Sequence, residues 1–394
     1  MDRKDFPILE NNPDLIYLDS ACTTLKPKKI IDAEMSYYRD FGACAGRSSH
    51  TLGRKTNEKL EEAREKIAGF VNASKEGMVW TRNTTEALNL IANSFDFSNK
   101  KKIITTIMEH HAVLLPFMML RNKGIVELEV IECDENGEIP LEKWEEKIDR
   151  ETALIVTNNG NNTTGYKQDT RSIGKIAHDN GAAICVDGAQ GVPHSKVDFK
   201  NDNYDFLCFS AHKMLGPTGI GAFVAKTEQL EKLEPFIVGG GIVKTLTLED
   251  AEFMQNYSRF EAGIQDYAGI LGFAAACDYL KDIGMENVHQ HEKRLLYEMK
   301  KQFEDAGVKV YGKAGDGYSA LCSFNFGEAK PHDVALMLDK ENIALRSGFF
   351  CAQPAMEVMG AKQGAVRASC YIYNTIEEVK KFGEVLQKIK ILYE

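Results

Sequence analysis

Along the chain, apolar positions recur at helical spacing in some stretches and run together in others, and the two kinds alternate. Residues 54–70 (RKTNEKLEEAREKIAGF) carry the spacing of an amphipathic helix, 78–81 (MVWT) read as a short buried strand, and 84–95 (TTEALNLIANSF) as a second helix. Apolar, β-branched runs follow at 102–107, 125–131, 153–157, 182–186, 206–209 and 221–225. Helical stretches such as 112–122 and 171–180 lie between most of them. Strands alternating with helices predict a large, doubly wound, mostly parallel sheet covered on both faces, an α/β fold.

Beyond about residue 264 the rhythm changes. Two long helical stretches, 267–283 and 286–306, precede strands near 308–311 and 320–326, a helix over 332–342, a strand over 343–346 and an amphipathic helix over 376–393. The pattern predicts a smaller α+β C-terminal domain, 264–394 joined by the N-terminal segment 1–14, beside a large domain over 15–263. No internal repeat or low-complexity linker interrupts either part.

Composition narrows the class. Hydrophobic residues make up 43% of the 394, too many for a disordered chain. No apolar run approaches the roughly 18 residues that span a bilayer, so no membrane role is expected. The start, MDRKDFPILENNPDL, lacks the apolar core of a signal peptide, and the mature chain is expected to begin near Met1. Lys and Arg total 48 against 58 for Asp and Glu, a net charge of −10 that argues against nucleic acid as a partner. The 9 cysteines form no CxxC pair, which reads as reduced thiols in a cytoplasmic protein and not as a disulfide framework or zinc cluster.

Four segments carry chemistry. In DFLCFSAHKMLGPTGIG (205–221) a strand ends at Ser210, and His212 and Lys213 enter a Gly/Pro-rich turn. A lysine held at a strand end either sits in solvent or, with its pKa lowered, forms a Schiff base. In AAICVDGAQG (182–191) a strand ends on Asp187, at the carboxyl edge where ligand sites of open α/β sheets gather. An Asp and a Schiff-base Lys on nearby strand ends are what pyridoxal phosphate requires, the Asp keeping the pyridine nitrogen protonated. In TRNTTEALN (81–89) a strand turns into a helix, either as a phosphate seat or as an ordinary cap with Thr84 or Thr85 over Glu86 or Ala87. In MEHHAV (108–113), adjacent histidines point apart on a helix, so joint metal binding is not expected, while His111 is a candidate to lie against an aromatic ring.

Together with RFEAG and RSGFFCAQP, these segments resemble, in order and over nearly the whole chain from YLDSA (17–21) onward, the SUF-type (group II) cysteine desulfurases and selenocysteine lyases. Those are fold-type I pyridoxal-phosphate enzymes of the class V aminotransferase family. The resemblance implies that Lys213 bonds the cofactor and shuttles protons, Asp187 pairs with the pyridine nitrogen, and Gln190 and Asn162 lie at the ring's phenolic oxygen. It implies that His111 stacks on the pyridine and moves protons, and that Thr84, Thr85, Ser210 and His212 hold the phosphate. Arg367 is implied to clamp the substrate carboxylate beside Asn162, and Cys351 to take sulfur from L-cysteine as a persulfide. Arg346, five positions earlier, is a candidate source of positive charge for that thiolate.

The implied protein is a homodimer that passes sulfur to an acceptor protein or small thiol, for iron–sulfur cluster or thio-cofactor assembly. Selenocysteine lyase, cysteine-sulfinate lyase and other reactions of the family are the alternatives. The chain departs from the family pattern at Gly46, Asn83, Ile264, Phe349 and Phe350. The two phenylalanines, standing where histidines are common, predict an apolar approach to Cys351 and direct thiol exchange without zinc-ligand exchange.

Overall fold

The computed structural model describes residues 3–313 and 315–393. Its centre is a seven-stranded sheet running in spatial order Met78–Thr81, Gly221–Ala225, Phe206–Ser210, Ala183–Asp187, Thr152–Asn158, Lys102–Thr106 and Glu127–Ile131. Gly221–Ala225 alone runs antiparallel to its neighbours, and the other pairings are parallel. The predicted mostly parallel sheet is therefore present, each strand within two residues of its expected bounds.

Strand alternation makes two cores. Ile104, Ile155, Ile184, Val186, Leu207 and Phe209 face one side, where they meet Leu60, Ala63 and Ile67 of the Thr51–Phe70 helix and Ile173 of Thr170–Asp179. Their neighbours Ile103, Leu154, Val156, Cys185, Phe206 and Cys208 face the other, against the helices Thr84–Ser94 and His111–Asn122. Burial on both faces explains why these strands read as continuous apolar runs.

A four-stranded antiparallel sheet, in the order Lys309–Tyr311, Leu321–Asn325, Ala365–Ser369 and Arg346–Gly348, forms the second unit. The helices Met285–Ala306, Pro331–Asp339 and Ile376–Tyr393 pack on it around Phe303, Phe324 and Phe382. The predicted strand over 343–346 is split: Ile343–Ala344 pairs with Ile16–Tyr17, while Arg346–Gly348 joins the four-stranded sheet.

Packing also differs from the expected division at 15 and 264. Ile16 and Leu18 lie in the C-terminal core, because Ile16–Tyr17 pairs with Ile343–Ala344. Tyr267–Ile283 instead lies with the large sheet, because Ile270, Phe273, Cys277 and Leu280 form one apolar face against it. Among the described residues no helix is long and apolar enough to cross a membrane.

Candidate active site

At the carboxyl edge of the large sheet, Ala183–Asp187 ends on Asp187, and its parallel neighbour Phe206–Ser210 runs into the turn Ala211–Lys213. The two strand ends bring Asp187 and Lys213 to one cavity of about 260 Å³. Asp187 is buried, and its Oδ1 accepts from Ala189 N at 2.9 Å. Burial raises the Asp187 carboxyl above its ordinary range and Lys213 opposes the rise; burial lowers the Lys213 ammonium and Asp187 opposes that. Lys213 Nζ has no hydrogen-bond partner among the described residues, and it is held toward the neutral, nucleophilic form.

One wall of the cavity is the N-terminus of Thr84–Ser94. The cap is Asn83, whose Oδ1 accepts from Glu86 N at 3.0 Å, and not Thr84 or Thr85. Asn83 has φ −176°, extended backbone that needs no glycine, so this departure from the family pattern costs nothing in conformation. Thr84 N and Oγ1 instead meet Ser210 Oγ at 2.8 and 2.7 Å, tying the helix to the neighbouring strand end. Strand and loop approach so closely here that a Cβ at Gly221 would meet Asn83 Cα at 2.9 Å. The N–H of Thr85, one of the helix's free first-turn donors, has no partner among the described residues. Thr85 is exposed, and His212 beside it is driven down to about 4 by burial and by Lys213.

The adjacent histidines separate as their spacing predicts, but the one on the cavity is His110 and not the expected His111. His110 is the helix cap, its Nδ1 accepting from Ala112 N at 3.0 Å, so the neutral ring carries its hydrogen on Nε2. Burial, with Lys213 and Arg367 nearby, pushes it down to about 3. His111 is the first residue of the helix and turns away, its Nε2 lying 3.4 Å from Gln353 N.

Cys351 is exposed on the rim, in a loop where both Phe350 and Cys351 have positive φ, 55° and 56°. Two hydrogen bonds hold this left-handed pair: Asn162 Nδ2 donates to Phe350 O at 2.7 Å and His111 N to Cys351 O at 2.7 Å. Asn162 thus anchors the thiol loop as well as lining the cavity.

Phe350 points inward. It is 8% exposed, with its ring 4.7 Å from the Arg367 guanidinium, and Phe349 packs against the same core. The expected apolar approach is therefore met only in part: Phe350 is buried and lines the cavity wall next to Cys351, and Phe349 is half-buried against the core. Arg346 is also committed elsewhere, its Nε and Nη2 contacting Asp19 at 2.9–3.2 Å. Arg367 shares that carboxylate at 3.4 Å and donates to Asn162 O at 2.9 Å, while its buried Nε is unpaired. The expected two-pronged clamp is thus partly engaged within the protein, which leaves Nε and the second N–H of each terminal nitrogen as the guanidinium's remaining donors.

Sequence reasoning passed over Asp19, Cys22 and Asn158, which help shape the site. Asp19 stood inside YLDSA, a motif noted without a role for its acid. Behind Asn158, the fully buried Glu109 accepts from Thr106, Thr157 and Asn158 at 2.8–2.9 Å, and burial pushes it up to about 7.

These residues fit pyridoxal phosphate. A lysine amine without a hydrogen-bond partner suits the aldehyde, a buried carboxylate the ring nitrogen, and the open Thr85 N–H beside Ser210 and His212 the phosphate. The buried Oδ1 of Asn158, on the cavity wall and unpaired, is a further polar group awaiting a ligand.

Comparison with known proteins agrees. The family model described as aminotransferase class-V matches residues 16–382. A probable cysteine desulfurase of Methanothermobacter thermautotrophicus is 38% identical over 98% of this chain and 97% of its own. The apo structure of the cysteine desulfurase from Thermococcus onnurineus NA1 superposes with TM-score 0.95 at 37% identity, over 99% of this chain and 97% of that one. The Escherichia coli cysteine desulfurase CsdA, solved in an S-sulfonic acid form, gives 0.90 at 30%, over 99% and 98%.

Proposed function

We propose, since the chain belongs to the class-V aminotransferase family, that it is a pyridoxal-phosphate-dependent cysteine desulfurase. In this reading it converts L-cysteine to L-alanine and retains the sulfur as a persulfide on Cys351. The observation that carries the reading is one cavity lined by the buried Asp187 and the half-buried Lys213 and, on its rim, the exposed Cys351.

Lys213 would bond the cofactor, Asp187 would hold a proton on the ring nitrogen, and Gln190 and Asn162 would lie at the ring oxygen. Thr84, Thr85, Ser210 and His212, which line the same cavity, would hold its phosphate. Pyridoxal phosphate, when bound, supplies an electron sink for charge developing at the substrate α-carbon.

The chain's own groups do the rest. Once released by substrate, the Lys213 amine takes and returns the proton at the α-carbon. The free N–H groups of Arg367 would donate to the substrate carboxylate, with Phe350 and Asp19 bracing the guanidinium. His110, in place of the expected His111, would stack on the pyridine ring and carry protons, its neutral ring bearing hydrogen on Nε2. Cys351 Sγ, as thiolate, attacks the substrate sulfur; an S–S bond forms, the C–S bond breaks, and its electron pair stays with carbon, which takes a proton to become the methyl of alanine.

The finer reading is a cytoplasmic homodimer that hands sulfur to an acceptor protein or small thiol for iron–sulfur cluster or thio-cofactor assembly. Exposed Ile237, Val238, Leu246, Leu248 and Ile264 support self-association. The test is incubation with L-cysteine and cofactor, measuring alanine and sulfide with and without reductant. Alanine in step with persulfide supports the reading; alanine from selenocysteine but none from cysteine overturns it.

A further inference from the structure

Gln190 opens the turn Gly191–His194 that follows Asp187, and His194 lies four residues on, on the same face. His194 Nε2 is 3.3 Å from Gln190 Oε1. On its other side His194 Nδ1 is 2.7 Å from Oε1 of Glu292, which comes from Met285–Ala306. All three side chains are buried. The edge of the imidazole packs on Tyr371, centroids 5.1 Å apart, and Tyr371 Oη donates to Pro193 O at 2.8 Å, fixing the turn.

Donor and acceptor chemistry decides where the hydrogens lie. Gln190 Nε2 donates to Ala21 O at 2.8 Å, so the amide oxygen is the atom that faces His194. An amide oxygen only accepts, and His194 Nε2 must therefore carry hydrogen. The contact between Nδ1 and Glu292 then holds one more proton, on ring or carboxyl, and either placement leaves Nε2 a donor. Glu292 Oε2 is buried without a hydrogen-bond partner among the described residues. Burying an acid–imidazole pair with an oxygen unsatisfied is expensive if it only fills space.

We propose that Glu292 and His194 are positioning residues for the cofactor. They pin the oxygen of the Gln190 amide, so that its second N–H faces the cavity and donates to the ring oxygen of bound pyridoxal phosphate. The inference rests on the cofactor reading above. It also ties the cofactor's electronics to the C-terminal unit, since Glu292 stands on that unit's long helix.

The test is a spectroscopic titration of the holoprotein without substrate. A donor on the ring oxygen withdraws charge from it and makes the adjoining Lys213–cofactor nitrogen easier to deprotonate. Gln190→Ala is expected to raise the pH midpoint of the visible band by about one unit, tenfold in proton affinity. His194→Phe, which keeps a ring against Tyr371, is expected to do the same; His194→Leu serves if the first variant does not fold. Glu292→Gln is expected to leave the midpoint unmoved, because its amide can donate to Nδ1 and preserve Nε2–H. Lys167, His289, His291, Cys370 and Tyr371, the other titratable groups that sense Glu292, stay the same in every variant. The double variant Gln190→Ala/His194→Phe is expected to match Gln190→Ala alone, since the two act as one unit. A shift in Gln190→Ala with none in either His194 variant overturns the positioning role and leaves the cofactor reading standing. Failure of the wild-type protein to bind cofactor through Lys213, or an unmoved midpoint in Gln190→Ala, overturns the reading of the cofactor contacts and the proposal with it.

Discussion

The backbone N–H of His111 donates to the carbonyl oxygen of Cys351 at 2.7 Å. One bond therefore joins the first turn of the His111–Asn122 helix to the thiol loop, across 240 residues of chain. The same helix is capped by His110 on the cavity wall, so imidazole and thiol are set by one rigid element.

The loop's second anchor is the Asn162 amide on Phe350 O. Loss of a buried hydrogen bond costs about 1–3 kcal/mol. Asn162→Ala is expected to slow persulfide formation on Cys351 by about tenfold or more, which corresponds to about 1.4 kcal/mol. Rapid-quench measurement of persulfide checks it, and cofactor content is expected to stay near one per chain.

Cys351→Ser is expected to abolish sulfur release while cofactor binding persists. Lys213 and Asp187 stand on sheet edges, whereas Cys351 stands on a separate loop. Wild-type alanine production by this variant shows that Cys351 is structural.

Lys213→Ala is expected to lose the covalent cofactor linkage. Borohydride reduction of the wild-type holoprotein, followed by peptide mapping, is expected to place the label on Lys213. Label on any other lysine refutes the assignment.

Phe350→Leu removes the ring beneath the Arg367 guanidinium while keeping apolar volume. A buried cation–π contact is worth about 1–2 kcal/mol, so KM for L-cysteine is expected to rise by about fivefold or more, with kcat changing less. Steady-state kinetics checks the split.

His110 links folding to acid. Its native value, pushed down to about 3, lies below the ordinary 6.5. The unfolded chain therefore binds the proton first as pH falls. The stabilisation is complete above about 6.5 and is lost between there and about 3, at up to about 1.4 kcal/mol per pH unit. His110→Asn keeps an N-cap acceptor and removes the titration. Denaturant unfolding of the apo protein at pH 7 and pH 5 is expected to show a shallower loss of stability in the variant.

Much of this architecture was legible in the sequence because burial on both faces of a parallel sheet writes itself as apolar runs, as in Ala183–Asp187. The ends of those runs pointed to Asp187, Ser210 and Lys213, since a strand's last residue reaches the carboxyl edge. Helix spacing likewise placed Tyr267–Ile283, though not which sheet it would cover.

Local pattern determined where elements begin and end and which strand ends carry reactive groups, because periodicity and turn chemistry act over a few residues. It did not decide which of two adjacent histidines enters the cavity. That choice came from the first turn of one helix meeting the Cys351 loop, which takes the His111 N–H and leaves His110 as the cap. Nor did it decide that Phe350 lies under Arg367 or that Asp19 binds both Arg346 and Arg367. Asp19 reaches Arg346 and Arg367 only because the strand Ile16–Tyr17 pairs with Ile343–Ala344, and Glu292 reaches His194 only once the two separately cored units close on each other; neither contact is written in a local pattern of a few residues.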